Sequence, residues 1–381
     1  MKILIFGAGS TGRGHLATLL YENGYKDITF IDKDKKLVEI LNKSGFYHVN
    51  LFGSVNRLFK YDNVKILDRQ DEDVIISEML DSDLVITAVF AENLEDISII
   101  LAKGIAARLG NKINKPLNIV ACENLNNASS LLKKKTHAKL SEEEIMYADE
   151  YVGFPDAIIS RVVPLAKENP LYMIAEDYNE WFVRKSDFKG DDPKIPCITL
   201  SDNLEALLER KLWIHNGGHA TVAYAGLLKG HKYIHEAVDD PVVGGFSLKT
   251  MNQIGKVISH KHGFEDAEVE EYITCFVKRG QIIELKDDLL RVVRDPIRKL
   301  GVDDRLIGPA LYACANGLDY DYIIRSVVNV LRYDNPNDSE SLLMQNTIKN
   351  NGVRYFLKNL IKIPDEKLCK SIEEEYTKWS L

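Results

Sequence analysis

Residues 2–14 read KILIFGAGSTGRG, and this stretch decides the fold of the first half of the chain. KILIF is a short apolar run suited to a strand buried on both faces. Gly7, Gly9 and Gly12 follow at once in the spacing G-x-G-x-x-G. HLATLLYENGY comes next, with Leu16, Leu19, Leu20 and Tyr21 suggesting a helix, and DITFID forms a second strand ending in Asp32. Strand, glycine turn, helix and strand make the smallest parallel crossover unit.

In that setting each glycine has a physical task. The first permits the tight turn, the second lets the backbone approach a pyrophosphate, and the third lets helix and strand pack closely. Ala8, Ser10 and Thr11 complete the loop, which leads into a helix N-terminus whose N–H groups and positive dipole end suit phosphates. Asp32 lies 20 residues past Gly12. Its carboxylate can accept hydrogen bonds from a ribose diol and would repel a 2′-phosphate, which favours NAD over NADP; Lys33 and Lys35 nearby act against that preference. A glycine turn that serves close packing alone is the alternative reading of the same spacing.

The strand pattern continues through VKILD (64–68), DLVITAVF (83–90) and LNIVACEN (117–124), with a helix expected over 91–109. Ala88 and Val89 are small residues near a strand end, where a cofactor would pass closely. The ligand crevice of an open parallel sheet lies at the carboxyl ends of its strands, which places Asn124 near the nicotinamide; capping the next helix is its alternative role. Residues 151–190 alternate in strand fashion, which predicts an antiparallel extension of the sheet. KGDDPKIPCITLSDN (189–203) reads as the connection to a second domain.

From about Asn203 the pattern turns helical. The expected organisation is α/β: a Rossmann-type NAD-binding domain with an antiparallel sheet extension over 1–195, and a mostly α-helical domain over 196–381. Within the latter, KLWIHNGGHA (211–220) gathers Lys211, His215, Asn216 and His219. On an α-helix Lys211, His215 and His219 would fall within about 80° on one face, with Asn216 at about 140°. Oxidation of an alcohol by NAD needs a base for the hydroxyl proton and donors for the developing oxyanion. A desolvated lysine can be that base, and Asn or His can be those donors. A solvated helix lysine is the alternative for Lys211.

Composition narrows the possibilities. The chain has 381 residues, 45% of them hydrophobic, and a formal net charge of −8. That charge argues against general binding to nucleic acid or anionic membranes. No run of about 18 apolar residues would span a membrane. Five scattered cysteines without CxxC read as reduced thiols of a cytoplasmic protein. The histidines and cysteines form no metal-ligand pattern, so no metal is expected.

K-L-W-I-H-N-G-G-H resembles the K-x-x-x-x-N-x-x-H signature of the polyol-specific long-chain dehydrogenases. KILIFGAGSTGRG, LNIVACEN, YVGFPDAIISRVVP, EWFVRKSDFKG, TLSDNLEALLERKLWIHNGGHATVAYAGLLKGH and DDLLRVVRDPIRKLGVDDRLIGPAL extend the likeness along nearly the whole chain. The resemblance, closest to the phosphate-using branch, implies an NAD-dependent, metal-independent oxidoreductase that interconverts mannitol 1-phosphate and fructose 6-phosphate; a monomer or homodimer is expected. It implies that Lys211 is the general base and that Asn216 and His219 meet the reacting oxygen. Gly7, Gly9, Gly12 and Asp32 would hold NAD. The chain departs from that branch at Gly217, where threonine is common, and at Ser160, where an acidic residue is common. A hexuronate or free-polyol dehydrogenase and a non-catalytic NAD-binding regulator are the alternatives. Arg294, Arg298, Lys299 and Arg305, in a basic stretch over 291–305, are the expected phosphate ligands, with a solvated helix face as their alternative.

Overall fold

In the computed structural model the first apolar run forms β1 (Ile3–Phe6), every residue of it buried. The structure describes residues 1–164, 169–191 and 195–379; residues 192–194 of the expected 189–203 connection lie outside them. The chain divides into two compact units, Met1–Leu204 and Glu205–Leu381.

In the first unit, β1 pairs in parallel with β2 (Ile28–Asp32) on one side. The strands that follow are β3 (Phe46–Phe52), β4 (Arg57–Asp62), β5 (Lys65–Asp68), β6 (Leu84–Thr87), β7 (Leu117–Ala121) and β8 (Val152–Gly153). The main sheet has the order β5-β2-β1-β6-β7-β8 and is parallel throughout. Alternation along β1 sends its side chains to opposite faces. Ile3 and Ile5 join one core with Leu16 and Leu20, while Leu4 and Phe6 join another with Ile97 and Leu101. Strand order reverses between β1 and β6, where Phe6 pairs with Thr87. That reversal fixes the ligand crevice at the carboxyl ends of these two strands.

The expected antiparallel extension takes another form. Beyond β8 come β9 (Ala157–Ser160), β10 (Tyr172–Glu176), β11 (Glu180–Arg184) and β12 (Thr199–Ser201). β9, β11 and β12 make a separate sheet, with β11 antiparallel to β9 and parallel to β12. β10 leaves for a third sheet, parallel to β3, whose other edge pairs antiparallel with β4. Period-two alternation reports a half-buried strand but not which neighbour its backbone pairs with, so the strands were legible and their partners were not.

The second unit is helical. Its longest helix, Pro241–His262, starts where the Asp240 carboxylate accepts from the Val242 and Val243 N–H groups and ends at Gly263 in the left-handed region, φ 72°. This helix packs against the helices Gly217–Leu228, Asp266–Gly280 and Asp321–Leu331. Its core draws on Ile254, Ile258, Phe276 and Val327, all buried.

Candidate active site

The glycines of the first loop divide by physical role. Gly7 has φ +99°, and a Cβ there would stand 2.2 Å from the Ala88 carbonyl oxygen. A Cβ on Gly12 would stand 1.9 Å from the Gly7 carbonyl oxygen. The protein's own packing demands both. Gly9 is different: a Cβ there would meet no heavy atom within 4 Å. Its α-carbon faces open space, at the position where the motif admits a pyrophosphate. The residues present therefore fit a dinucleotide.

The loop is braced from behind. Arg13 is buried, with Nε donating to the Ala8 carbonyl (2.5 Å) and Nη1 to the Pro170 carbonyl (2.6 Å). Thr11 precedes a π-helical turn, Gly12–Ala17, and the Ser10 hydroxyl donates to the Pro164 carbonyl at 3.4 Å. Asp32, at the end of β2, accepts from the Ala8 N–H (2.7 Å) through one oxygen and from the Asp34 N–H (2.9 Å) through the other. Each carboxylate oxygen keeps a further lone-pair site for a ribose hydroxyl. Lys33 donates to the Asn93 side chain and Lys35 to Gln70, both at 2.8 Å, so these nearby lysines already have polar partners.

Across the reversal, β6 stops at Thr87 and β7 at Ala121, short of the ends of their apolar runs. Ala88 and Val89 continue from β6 as the far wall of the crevice, half-buried. Asn124 is exposed beyond β7, and the residue that precedes the next helix is Asn127, so Asn124 does not occupy the capping position. Glu123 was not singled out from the sequence. Its carboxylate accepts three hydrogen bonds, from the Thr87 hydroxyl, the Val89 N–H and the Phe90 N–H, at 2.8–2.9 Å.

In the second unit, KLWIHN does not continue the α-helix Leu204–Arg210. Lys211–Asn216 is a π-helical turn, in which the Gly217 N–H reaches back to the Leu212 carbonyl. This corrects the α-helical wheel. An i→i+5 turn winds through fewer degrees per residue than an α-helix, so Asn216 lies nearer the face of Lys211 than the about 140° of an α-helix. An α-helix resumes at Gly217, and His219 lies one turn beyond Asn216. Single π-turns inside α-helices occur frequently at functional sites.

The two imidazoles lie edge to face, ring centroids 4.9 Å apart, and each meets the Phe276 ring at 5.4 Å. Burial is the first reason that both titrate low. Arg291, Arg279 and Arg305 add to it at His219, pushed down to about 3; Arg279, His219, Lys211 and Arg305 add to it at His215. Both rings are therefore neutral at pH 7. Arg279 Nη1 lies 3.4 Å from His215 Nδ1. A guanidinium only donates, so Nδ1 accepts and the His215 proton is on Nε2. His219 Nε2 lies 3.8 Å from the Asp287 carboxylate, beyond hydrogen-bond range. Asp287 is instead gripped by Arg291 through two bonds of 2.8 Å.

The expected phosphate ligands separate. Arg305 acts on both histidines, and its Nε donates to Asp304 at 2.7 Å. Lys299 is buried and its ammonium is pushed down to about 8, by burial first and Arg305 second. Arg294 and Arg298 are exposed, Arg298 beside Asp295 at 3.4 Å. Arg279, outside the expected stretch, and Arg291, which opens it but was not among the expected ligands, join Arg305 in acting on the histidine pair. Arg291 and Arg305 share the basic stretch, whereas Arg279 is brought to them from the separate helix Asp266–Gly280.

Residues 1–197 match the mannitol dehydrogenase Rossmann domain and residues 203–377 the mannitol dehydrogenase C-terminal domain. The mannitol-1-phosphate 5-dehydrogenase of Lactiplantibacillus plantarum is 35% identical over 375 residues, 98% of this chain and 97% of that one. The enzyme of the same name from Thermoanaerobacter pseudethanolicus is 35% identical over 380 residues, 99% and 97% of the two chains. Among solved structures, Pseudomonas fluorescens mannitol 2-dehydrogenase in ternary complex with NAD and D-mannitol aligns with a TM-score of 0.77 at 16% identity, over 99% of this chain and 91% of that one. A substrate-free D-sorbitol dehydrogenase aligns with a TM-score of 0.83 at 15% identity, over 99% and 92%. At such identities these two structures speak for the fold alone.

Proposed function

The chain belongs to the mannitol dehydrogenase family, and from that membership we propose that it interconverts mannitol 1-phosphate and fructose 6-phosphate with NAD. The observation that carries the chemistry is the joining of Lys211 and Asn216 on one π-turn, with His219 one α-turn beyond.

The glycine loop and Asp32 would hold NAD, whose nicotinamide would supply the hydride acceptor for oxidation and the donor for reduction. Lys211 accepts the hydroxyl proton at Nζ during oxidation and returns it during reduction. Asn216 donates its amide N–H to the same oxygen or its neighbour as negative charge develops. His219 is neutral because of its burial among cations, so it contributes a ring N–H without competing for the proton. Arg305 and Arg279, with Arg291 behind, supply the positive potential that suits a substrate phosphate. Gly9 and Asp32 would receive the pyrophosphate and ribose of NAD. The reaction asks for no metal, and activity should survive dialysis against a strong chelator.

Among the described residues no helix is long and apolar enough to cross a membrane, and no cysteine is in a disulfide. We place the enzyme in the cytoplasm, as a monomer or homodimer. The test is NADH oxidation with fructose 6-phosphate, fructose, tagaturonate and fructuronate. A clear preference for fructose 6-phosphate is expected. A preference for a hexuronate or the free sugar would move the chain to another branch, and NADH binding without any turnover would point to a regulator.

A further inference from the structure

Phe90 has φ +69° and ψ 146°, a backbone region that is almost a preserve of glycine. Its ring is 70% exposed, so burial of the side chain does not impose this conformation. Hydrogen bonds to the backbone do. One oxygen of Glu123 accepts from the Thr87 hydroxyl and the Val89 N–H, both at 2.9 Å, and the other accepts from the Phe90 N–H at 2.8 Å. Asn93 closes the far side: its N–H donates to the Phe90 carbonyl at 3.0 Å and its side-chain amide to the Val89 carbonyl at 2.5 Å.

The segment so held lies at the sheet's reversal. Ala88 presses on Gly7, where a Cβ would strike the Ala88 carbonyl oxygen at 2.2 Å. A dinucleotide in a doubly wound sheet lies across this point, one mononucleotide half on each side. The glycine loop serves one half, which leaves residues 88–90 to serve the other.

We infer that Glu123 is a positioning residue for the cofactor: its carboxylate holds Val89 and Phe90 in a strained backbone that forms the wall for the nicotinamide half. The inference rests on the NAD reading above. Only an ionised carboxylate presents acceptors on both oxygens; an amide would turn an NH₂ toward one of the donors.

The test is NADH titration of the full-length protein. Glu123→Gln should weaken NADH roughly tenfold, while kcat at saturating NADH and KM for the sugar phosphate stay within about twofold. The same change is then made in two backgrounds. Alanine at position 90 is as strained as phenylalanine, so with Phe90→Ala the loss should again be roughly tenfold; glycine adopts the angle freely, so with Phe90→Gly it should shrink below about twofold. Both backgrounds lack the ring, so any ring contact with the cofactor cancels. Where Glu123→Gln unfolds the protein, Tm is read in its place, with a loss beside Phe90→Ala and recovery beside Phe90→Gly. No loss of affinity in the otherwise wild-type protein, or equal losses in both backgrounds, would overturn the inference. Failure of the wild-type protein to bind NADH would overturn the NAD reading itself.

Discussion

A Cβ on Gly217 would stand 2.8 Å from the carbonyl oxygen of Arg305. The turn that carries Arg305 therefore packs directly on the helix start that carries Asn216 and His219. The contact is with backbone, which cannot swing aside as a flexible side chain can. Gly217→Ala should destabilise the protein by about 1–3 kcal/mol, the usual cost of overpacking. It should also raise KM for fructose 6-phosphate, because the turn must back away. Thermal melting and steady-state kinetics check both effects; an alanine variant with wild-type Tm and KM would show that the two segments separate freely.

The basic residues divide into those that face the histidine pair and those that face solvent. Arg305→Ala and Arg279→Ala should raise KM for fructose 6-phosphate far more than for fructose. Arg294→Ala and Arg298→Ala should change either by less than about twofold, as exposed charges usually do. Dominant effects from Arg294 or Arg298 would return the phosphate to the exposed face.

His219 links the site to acid stability. An unfolded imidazole titrates near 6.5 and the folded one at about 3. Between those values the unfolded chain binds a proton that the native state excludes, so acid favours unfolding. The contribution of His219 to stability is intact above about pH 6.5 and is eroded as pH falls toward 3, by at most about 1.4 kcal/mol per pH unit. Denaturant melts at pH 7 and pH 5 should show a drop that His219→Leu reduces. The same drop in both proteins would mean that the imidazole stays protonated in the fold.

Asp32 should set cofactor choice. Its carboxylate is fixed by the Ala8 and Asp34 N–H groups, so it cannot turn away from a 2′-phosphate. Wild-type kcat/KM should favour NADH over NADPH, and Asp32→Ser should narrow the ratio by loss of repulsion. A wild type that uses NADPH equally well would remove Asp32 from this role.

Much of the first unit was legible because the apolar runs of β1, β2, β6 and β7 are buried and bounded by glycines or charges, while β5, at the sheet edge, buries only Ile66. The β3–β4 hairpin was missed although FYHVNLF alternates, with Tyr47, Val49 and Leu51 inward. Which strands pair is fixed by contacts distant in sequence, and that defeated the reading of residues 151–190. In the second unit the residue set K-x-x-x-x-N-x-x-H was visible, but its geometry was not. A π-turn leaves no mark in hydrophobic periodicity, so Asn216 looked remote from Lys211. Glu123 was hidden for another reason: its partners are mostly backbone N–H groups of the 87–90 segment, which no side-chain pattern announces. Arg279 was hidden because a separate helix, distant in sequence from the basic stretch, delivers it.

The most direct test of a lysine base is the pH profile of kcat for mannitol 1-phosphate oxidation in the wild type and in Lys211→Ala. His215 and His219 both titrate far below neutrality, His219 at about 3, so neither supplies an ionisation in the working range. Lys299, at about 8, does titrate there, and Lys299→Met serves as the control. The wild-type rate should rise with pH through one ionisation, and Lys299→Met should keep it. Lys211→Ala should lose it, with kcat down roughly 10²–10⁴-fold and NADH binding nearly unchanged. A Lys211→Ala enzyme that keeps the inflection, or a kcat near wild type, would show that another group takes the proton.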